Sequence, residues 1–196
     1  MIAIAAVDEN WAIGKDNQLL FSIPDDMKFF RETTSGHTVV MGRKTLESFP
    51  GRRPLKNRTN IVLTRDETYG AEGAVIVHSI EELMDRIKDI PGDTIFVIGG
   101  ASVYQMLVPF CSKCYITKMY KEFPADAFFP DLDADCRWTI AERGGLRKYE
   151  VPEQEAPEHE VFEYDAPEQN ALVYEFLTYV KADPEQTGSV PREVKV

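Results

Sequence analysis

An uninterrupted apolar run, Ile2–Val7, opens the chain, too short for a helix and bounded by the polar Asp8-Glu9-Asn10. Comparable β-branched runs recur at Thr38–Met41, Asn60–Thr64, Ala74–His78 and Thr94–Ile98, and each predicts a buried strand. Between them Pro24–Thr34, Arg43–Ser48, Ile80–Lys88 and Ala101–Phe110 carry apolar residues at helical spacing. Continuous apolar strands alternating with helices predict crossover connections and a parallel sheet covered on both faces. The rhythm changes after Lys113. Lys113–Tyr120, Trp138–Glu142, Glu160–Tyr164 and Leu172–Val180 are strand-like without intervening helices, which predicts an antiparallel end to the same sheet. There is no internal repeat. Residues 182–196 are polar and contain Pro and Gly, the pattern of a flexible tail.

At 196 residues one α/β domain suffices, with no need of a metal or disulfide staple. The net charge of −11 argues against nucleic acid and anionic membranes as partners. That charge is uneven. Tyr149–Asn170 holds eight carboxylates and no Lys or Arg, so the rest of the chain carries only −3. No apolar run approaches the ~20 residues of a membrane helix, and the N-terminus lacks the basic segment of a signal peptide. Cys111, Cys114 and Cys136 are sparse and odd in number, which points to a reducing cytoplasm. Cys111 and Cys114 have CxxC spacing. With no second such pair and with His37, His78 and His159 scattered, buried structural thiols are the reading preferred over metal or redox chemistry.

Two segments suit a phosphate. Met41-Gly42-Arg43-Lys44-Thr45 follows a predicted strand and opens a helix; Val97-Ile98-Gly99-Gly100-Ala101-Ser102-Val103-Tyr104 is again strand, then glycines, then helix. Neither is the GxGxxG fingerprint nor a P-loop. Thr64-Arg65 adds a cation after a third strand, at the same predicted sheet edge. Glycines also simply end strands, and arginines also simply cover surfaces; the coincidence of three such ends in an acidic chain favours an anion site.

Asp26 is the most informative single residue. On the helix begun by Pro24, with Ser22 or a neighbour as cap, Ile23, Asp26, Met27, Phe30 and Thr34 share a face, while Asp25, Lys28 and Arg31 point away. A carboxylate at a helix start complements the dipole, which is its structural explanation. An acid on an apolar face, however, calls for a partner, such as a ligand with paired N–H donors.

These segments resemble the dihydrofolate reductase family in order: AAVDENWAIGKDNQL, IPDDMKFFRETT, VVMGRKTLES, PLKNRTNIVLTR, IFVIGGASVY, YIT and DAFFPD. The likeness spans about residues 1–147 and resumes near Asn170–Tyr179. It implies a single domain over 1–181 with an eight-stranded, mostly parallel sheet, antiparallel C-terminal strands and about four helices, with 149–170 as an acidic insertion. It also implies hydride transfer from NADPH to C6 of a pterin with protonation at N5, by a cytoplasmic monomer whose partner is the small molecule dihydrofolate. By the same resemblance Asp26 binds the pterin's 2-amino group and N3, with Thr117 beside it. Leu19 and Phe21 complete the catalytic group. Ile4, Ala5, Ala6, Met27 and Ile98 line the pterin pocket, Phe30 and Phe49 hold the aromatic linker, and Arg58 grips the glutamate carboxylate. Arg43 and Arg65 take the cofactor's 2′-phosphate, and Thr64 is a further cofactor position. Ala6, Ile13, Gly14, Gly42, Lys44, Thr45, Leu63, Ile98, Gly99, Gly100, Ala101, Ser102, Val103 and Tyr104 are the remaining cofactor positions, and no metal is implied. In the family the Gly-Gly bond is cis, Ile13–Leu20 is a mobile lid, and Asp126 lies where a partner loop touches that lid.

The chain departs from the family pattern in three places. Leu20-Phe21 stands where Pro-Trp is usual, removing an indole N–H donor; Ser102 replaces an arginine or similar residue; and the 149–170 stretch is longer and more acidic. Two alternatives follow. A pyrimidine reductase of riboflavin synthesis shares the fold, though Asp26 in its IPDDMKFF setting and Arg58 suit folate better. A non-catalytic NADP- or folate-binding module is suggested by Phe21.

Overall fold

The computed structural model describes residues 1–150 and 171–182. In chain order the elements are β1 (Ile2–Val7), β2 (Ala12–Lys15), β3 (Gln18–Leu19), α1 (Pro24–Thr34), β4 (Thr38–Gly42) and α2 (Arg43–Ser48). There follow β5 (Thr59–Leu63), β6 (Ala74–Val77), α3 (Ile80–Ile87), β7 (Ile95–Val97) and α4 (Ala101–Leu107). The last are β8 (Lys113–Met119), β9 (Ala127–Phe128), β10 (Trp138–Arg143), β11 (Arg147–Glu150) and β12 (Ala171–Lys181). The main sheet runs β10-β12-β8-β1-β7-β4-β5-β6, with β11 paired to β12 as well. Every pair from β8 to β6 is parallel, and β12 pairs antiparallel with β8, β10 and β11. β10 and β11 line successive stretches of β12, so nine strands occupy the eight positions expected.

Period-two alternation assigns the two faces. Ile2, Ile4, Val39, Met41, Val62, Phe96 and Ile98 form one buried cluster, capped by Leu46 of α2 and by Phe29 and Phe30 of α1. Ala3, Val7, Val40, Ile61, Leu63, Ile95 and Val97 face the opposite way, under Leu83 and Ile87 of α3 and Val103, Tyr104 and Leu107 of α4. In the parallel part both faces of each strand are thus covered, which is why these strands read as unbroken apolar runs.

Several expectations are adjusted. Ala101–Phe110 divides into α4 and a single 3₁₀ turn at Val108–Phe110, opened by Pro109. Ser22 does not cap α1: the N-cap is Ile23, with no side-chain cap bond, and Pro24 sets the first turn. Ile13–Leu20 contains a hairpin, β2–β3, turned through Asp16 and Asn17 at φ 50° and 62°, the pair of positive φ values a tight hairpin turn demands. β9 joins it to make a second, three-stranded sheet. Tyr149 and Glu150 end β11, so the acidic stretch begins inside the sheet. The predicted strand Glu160–Tyr164 and the tail beyond residue 182 lie outside the described residues. Cys111 and Cys114 are free and buried in the core, where burial pushes the Cys111 thiol up to about 12 and Cys114 up as well. Buried thiols held protonated are poor nucleophiles, which favours the reading of this CxxC spacing as structural thiols. Among the described residues no helix is long and apolar enough to cross a membrane.

Candidate active site

The C-terminal ends of neighbouring parallel strands converge on one edge. Gly42 is in register with Leu63, and Val40 with Val97, so the segments after β4, β5 and β7 gather there as sequence reasoning expected. Such an edge is where open α/β sheets bind ligands. α1 lies beside it, on the Ile4–Ile98 face.

Asp26 sits in the first turn of α1, half-buried against the sheet, and Thr117 of β8 donates its hydroxyl to Oδ1 at 2.6 Å. Burial raises the Asp26 pKa, and the Thr117 hydrogen bond opposes that rise only in part. Among the described residues no Lys or Arg is paired with it. A desolvated carboxylate with one hydroxyl donor retains lone pairs for a ligand bearing N–H groups. Asp25 is a different case. It is exposed and accepts from the Tyr174 hydroxyl at 3.0 Å and from Arg147 at 3.4 Å, tying α1 to β12 and β11.

Around Asp26, β1 brings buried Ile4 and half-buried Ala5 and Ala6, with Ala6 in register with Thr117. Phe30 and Phe49 are half-buried on the same cluster, and Met27 is 42% exposed. The Arg58 guanidinium lies 5.7 Å from the centre of the Phe30 ring. Its Nε is buried and has no hydrogen-bond partner. Desolvation, and then repulsion from Arg31, lowers the Arg58 pKa. A cation on an aromatic wall, with an orphaned N–H and a second cation near enough to repel it, suits an anionic group.

Across the cleft Gly42 donates its N–H to the Gly99 carbonyl at 2.7 Å, and the Gly99–Gly100 peptide is cis. A Cβ on Gly100 would lie 3.3 Å from Thr45 Oγ1, so a side chain there would crowd the gap between the first turns of α2 and α4. Ala101 and Ser102 open α4, and their N–H groups precede the first ones donated within the turn, from Val103 and Tyr104 to the Gly100 carbonyl. Arg43 is half-buried, 3.4 Å from Glu47 and 5.8 Å from the centre of the Tyr69 ring; Lys44 and Arg65 are exposed. Thr64 is buried, and its hydroxyl accepts the Asp66 N–H at 3.2 Å. A glycine-lined cradle flanked by three cations fits the phosphates of a dinucleotide. The Leu63 and Val103 side chains, by contrast, pack into the core. Tyr104 is buried, and its hydroxyl donates to the Ile4 carbonyl at 2.7 Å, so it shapes the cleft floor from below.

The hairpin spans this cleft. Asn17 donates to the Lys44 carbonyl at 3.3 Å on one side. On the other, Asp126 Oδ2 accepts the Asp16 N–H at 3.0 Å and its N–H reaches the Gly14 carbonyl at 3.1 Å. Ile13 is half-buried and packed on the core, Gly14 is buried, and Leu19 is 70% exposed. Phe21 is half-buried with its ring 5.7 Å from that of Phe123, an apolar contact with no donor. Sequence reasoning overlooked Phe29, which stacks edge-on to Tyr115 and against Phe176 and so fixes α1 on the sheet. Its adjacency to Phe30 was the available signal.

The sequence model of the dihydrofolate reductase family matches residues 1–181. A dihydrofolate reductase of Bacillus subtilis (strain 168) is 37% identical over 185 residues, covering 94% of this chain and 96% of its own. One from Haemophilus influenzae is 40% identical over 137 residues, covering 70% and 82%. Among solved structures, a dihydrofolate reductase from Enterococcus faecalis complexed with NADP(H) and RAB-propyl superimposes with a TM-score of 0.72. It is 35% identical, and the match covers 93% of this chain and 96% of that one.

Proposed function

The chain belongs to the dihydrofolate reductase family, and on that premise we propose that the cleft between α1, α2 and the Gly99–Gly100 turn binds dihydrofolate on the Asp26 side and NADPH on the glycine side. The reaction is reduction of 7,8-dihydrofolate to tetrahydrofolate. NADPH supplies the hydride, delivered to C6 of the pterin, while N5 takes a proton. The observation that carries the reading is Asp26: a half-buried acid, held by Thr117 and, among the described residues, paired with no Lys or Arg.

The chain's own contribution is orientation and exclusion of water. Asp26 accepts the 2-amino and N3 hydrogens of the pterin and fixes which ring edge faces the cofactor. Ile4, Ala5 and Ala6 line the pterin pocket, Ala5 through its backbone because its side chain packs on the opposite face, and the Ile4 carbonyl is held in place by Tyr104. Phe30 and Phe49 sandwich the aromatic linker, and Arg58 satisfies its orphaned Nε on the glutamate carboxylate. Arg43 and Arg65, with Thr64, take the 2′-phosphate. Gly99, Gly100 and the first turn of α4 flank the pyrophosphate, with Lys44 and Thr45 on its other side. The Ile13–Leu20 hairpin is the lid that keeps water from the reacting carbons. Phe21, having no side-chain N–H, leaves any water beside the pterin to be held by Asp26 and Thr117. Free thiols in the core suit a cytoplasmic enzyme.

A single assay separates the three readings: NADPH oxidation followed by absorbance with dihydrofolate and, separately, with a ribosylaminopyrimidine. Turnover with dihydrofolate is the expected result. Turnover with the pyrimidine alone selects the riboflavin-type reductase, and binding of both ligands without oxidation selects a non-catalytic module.

A further inference from the structure

Asp8, at the C-terminal end of β1, is fully buried and has no place in the ligand contacts above. Its Oδ1 accepts the N–H groups of Asn10 and Ala12, each at 2.8 Å. Its Oδ2 accepts the N–H of Phe123 at 3.0 Å, from a residue 115 positions away. Asn10 and Ala12 are the root of the β2–β3 hairpin. Phe123 is the root of the segment that carries Asp126 and β9.

The backbone repeats the same join. Asp8 donates to the Ala12 carbonyl at 2.9 Å, Trp11 to the Asp8 carbonyl at 3.2 Å and Glu9 to the Lys121 carbonyl at 3.3 Å. Trp11 lies beneath Lys118, whose ammonium is 3.9 Å from the ring centroid. Lys118 is ion-paired with Asp133, at 3.7 Å, and the hydrogen-bond donors to both Asp8 carboxylate oxygens are peptide N–H groups. A buried carboxylate is tolerated where such donors converge on it.

Asn or Ser at position 8 would serve the local turn equally well, since both cap backbone N–H groups two residues on. Only the second carboxylate oxygen has a non-local task, and that task is Phe123. We propose that Asp8 is a positioning residue for the lid: it locks the root of the hairpin to the root of the 121–128 segment, as Asp126 locks the tip. The hairpin is thereby held in register over the cleft between Asp26 and Gly99. This rests on the assignment of that cleft as the reduction site.

Asp8→Asn and Asp8→Ser test it, because each keeps a local acceptor and loses the one reaching Phe123. Amide hydrogen exchange of peptides covering residues 12–20 and 121–128 is measured for the full chain, without ligand and with NADP⁺. Hydride transfer is then followed in a single turnover with NADPH and dihydrofolate. Exchange in both peptides is expected to rise about tenfold in both variants, with β4 and β5 unchanged. The hydride-transfer rate is expected to fall about tenfold while the Kd for dihydrofolate stays within about twofold. Lid exchange within about twofold of wild type, or an unchanged hydride-transfer rate, overturns the proposal; a lowered Tm alone marks Asp8 as merely structural. Should the wild type itself fail to oxidise NADPH with dihydrofolate, the assignment of the cleft fails instead, and the exchange data still decide whether Asp8 orders the hairpin.

Discussion

Arg58 offers a prediction whose size follows from its surroundings. The guanidinium sits beside Phe30 with its Nε buried and unpartnered, and burial together with Arg31 lowers its pKa. In the free protein this is an unfavourable arrangement, because a desolvated donor lacks its acceptor. A substrate carboxylate supplies two charge-assisted hydrogen bonds, each worth about 1.5–3 kcal/mol. Arg58→Met keeps the apolar stem against Phe30 and removes both bonds, a loss of about 3 kcal/mol or a factor of about 150 in affinity. The assay compares KM for dihydrofolate with KM for dihydropteroate, the same molecule without its glutamate. The variant should raise the first by about two orders of magnitude and leave the second within about threefold. Its ligand-free Tm should be equal to or above that of wild type, since the crowded charge is gone. A rise of less than about fivefold for dihydrofolate, or an equal rise for both substrates, refutes the reasoning.

Three further outcomes follow from the same geometry. Arg65→Gln should raise KM for NADPH about tenfold and leave KM for NADH unchanged, because one exposed arginine–phosphate contact is worth about 1.4 kcal/mol; equal effects on both cofactors would remove Arg65 from the 2′-phosphate site. Gly99→Ala should lower Tm more than Gly100→Ala. Gly99 has φ +110°, and its Cβ would meet the buried Tyr104 ring at 3.0 Å, whereas the Gly100 Cβ meets only Thr45 Oγ1 at 3.3 Å. Asp26→Asn should stabilise the ligand-free fold at neutral pH. Since burial raises the Asp26 pKa, the folded state holds that proton more tightly than the unfolded chain. The charged form is therefore a cost above the folded pKa that disappears below the ordinary carboxylate range. Melting at neutral and acidic pH should show a gain at the former that shrinks at the latter.

What was legible in the chain was what the hydrophobic effect writes into it. Ile2–Val7, Pro24–Thr34 and Arg43–Ser48 coincide with β1, α1 and α2, because their apolar spacing is long and unambiguous. The converging strand ends followed from alternation alone, and Asp26 stood out as an acid on an apolar face. The small sheet was not legible. Gln18 and Leu19 are both exposed, so β3 has no buried face to leave a period-two signature. β11 is polar along Arg147-Lys148 and exists because β12 offers it backbone partners. Asp8 could not be singled out either: its role depends on a hydrogen bond to Phe123, and no local pattern announces a contact that distant. The resemblance supplied roles for Arg58 and Tyr104; the orphaned Nε of one and the inward hydroxyl of the other are facts of packing.

The central claim is that Asp26 is the carboxylate on which the pterin is oriented for reduction by NADPH. Its most direct test is kcat/KM for dihydrofolate at neutral pH in the wild type and in Asp26→Asn, whose fold is kept intact by the isosteric amide. The account predicts a clear rate in the wild type and a loss of at least about tenfold, ~1.4 kcal/mol, in the variant. A smaller loss in a folded variant would contradict it.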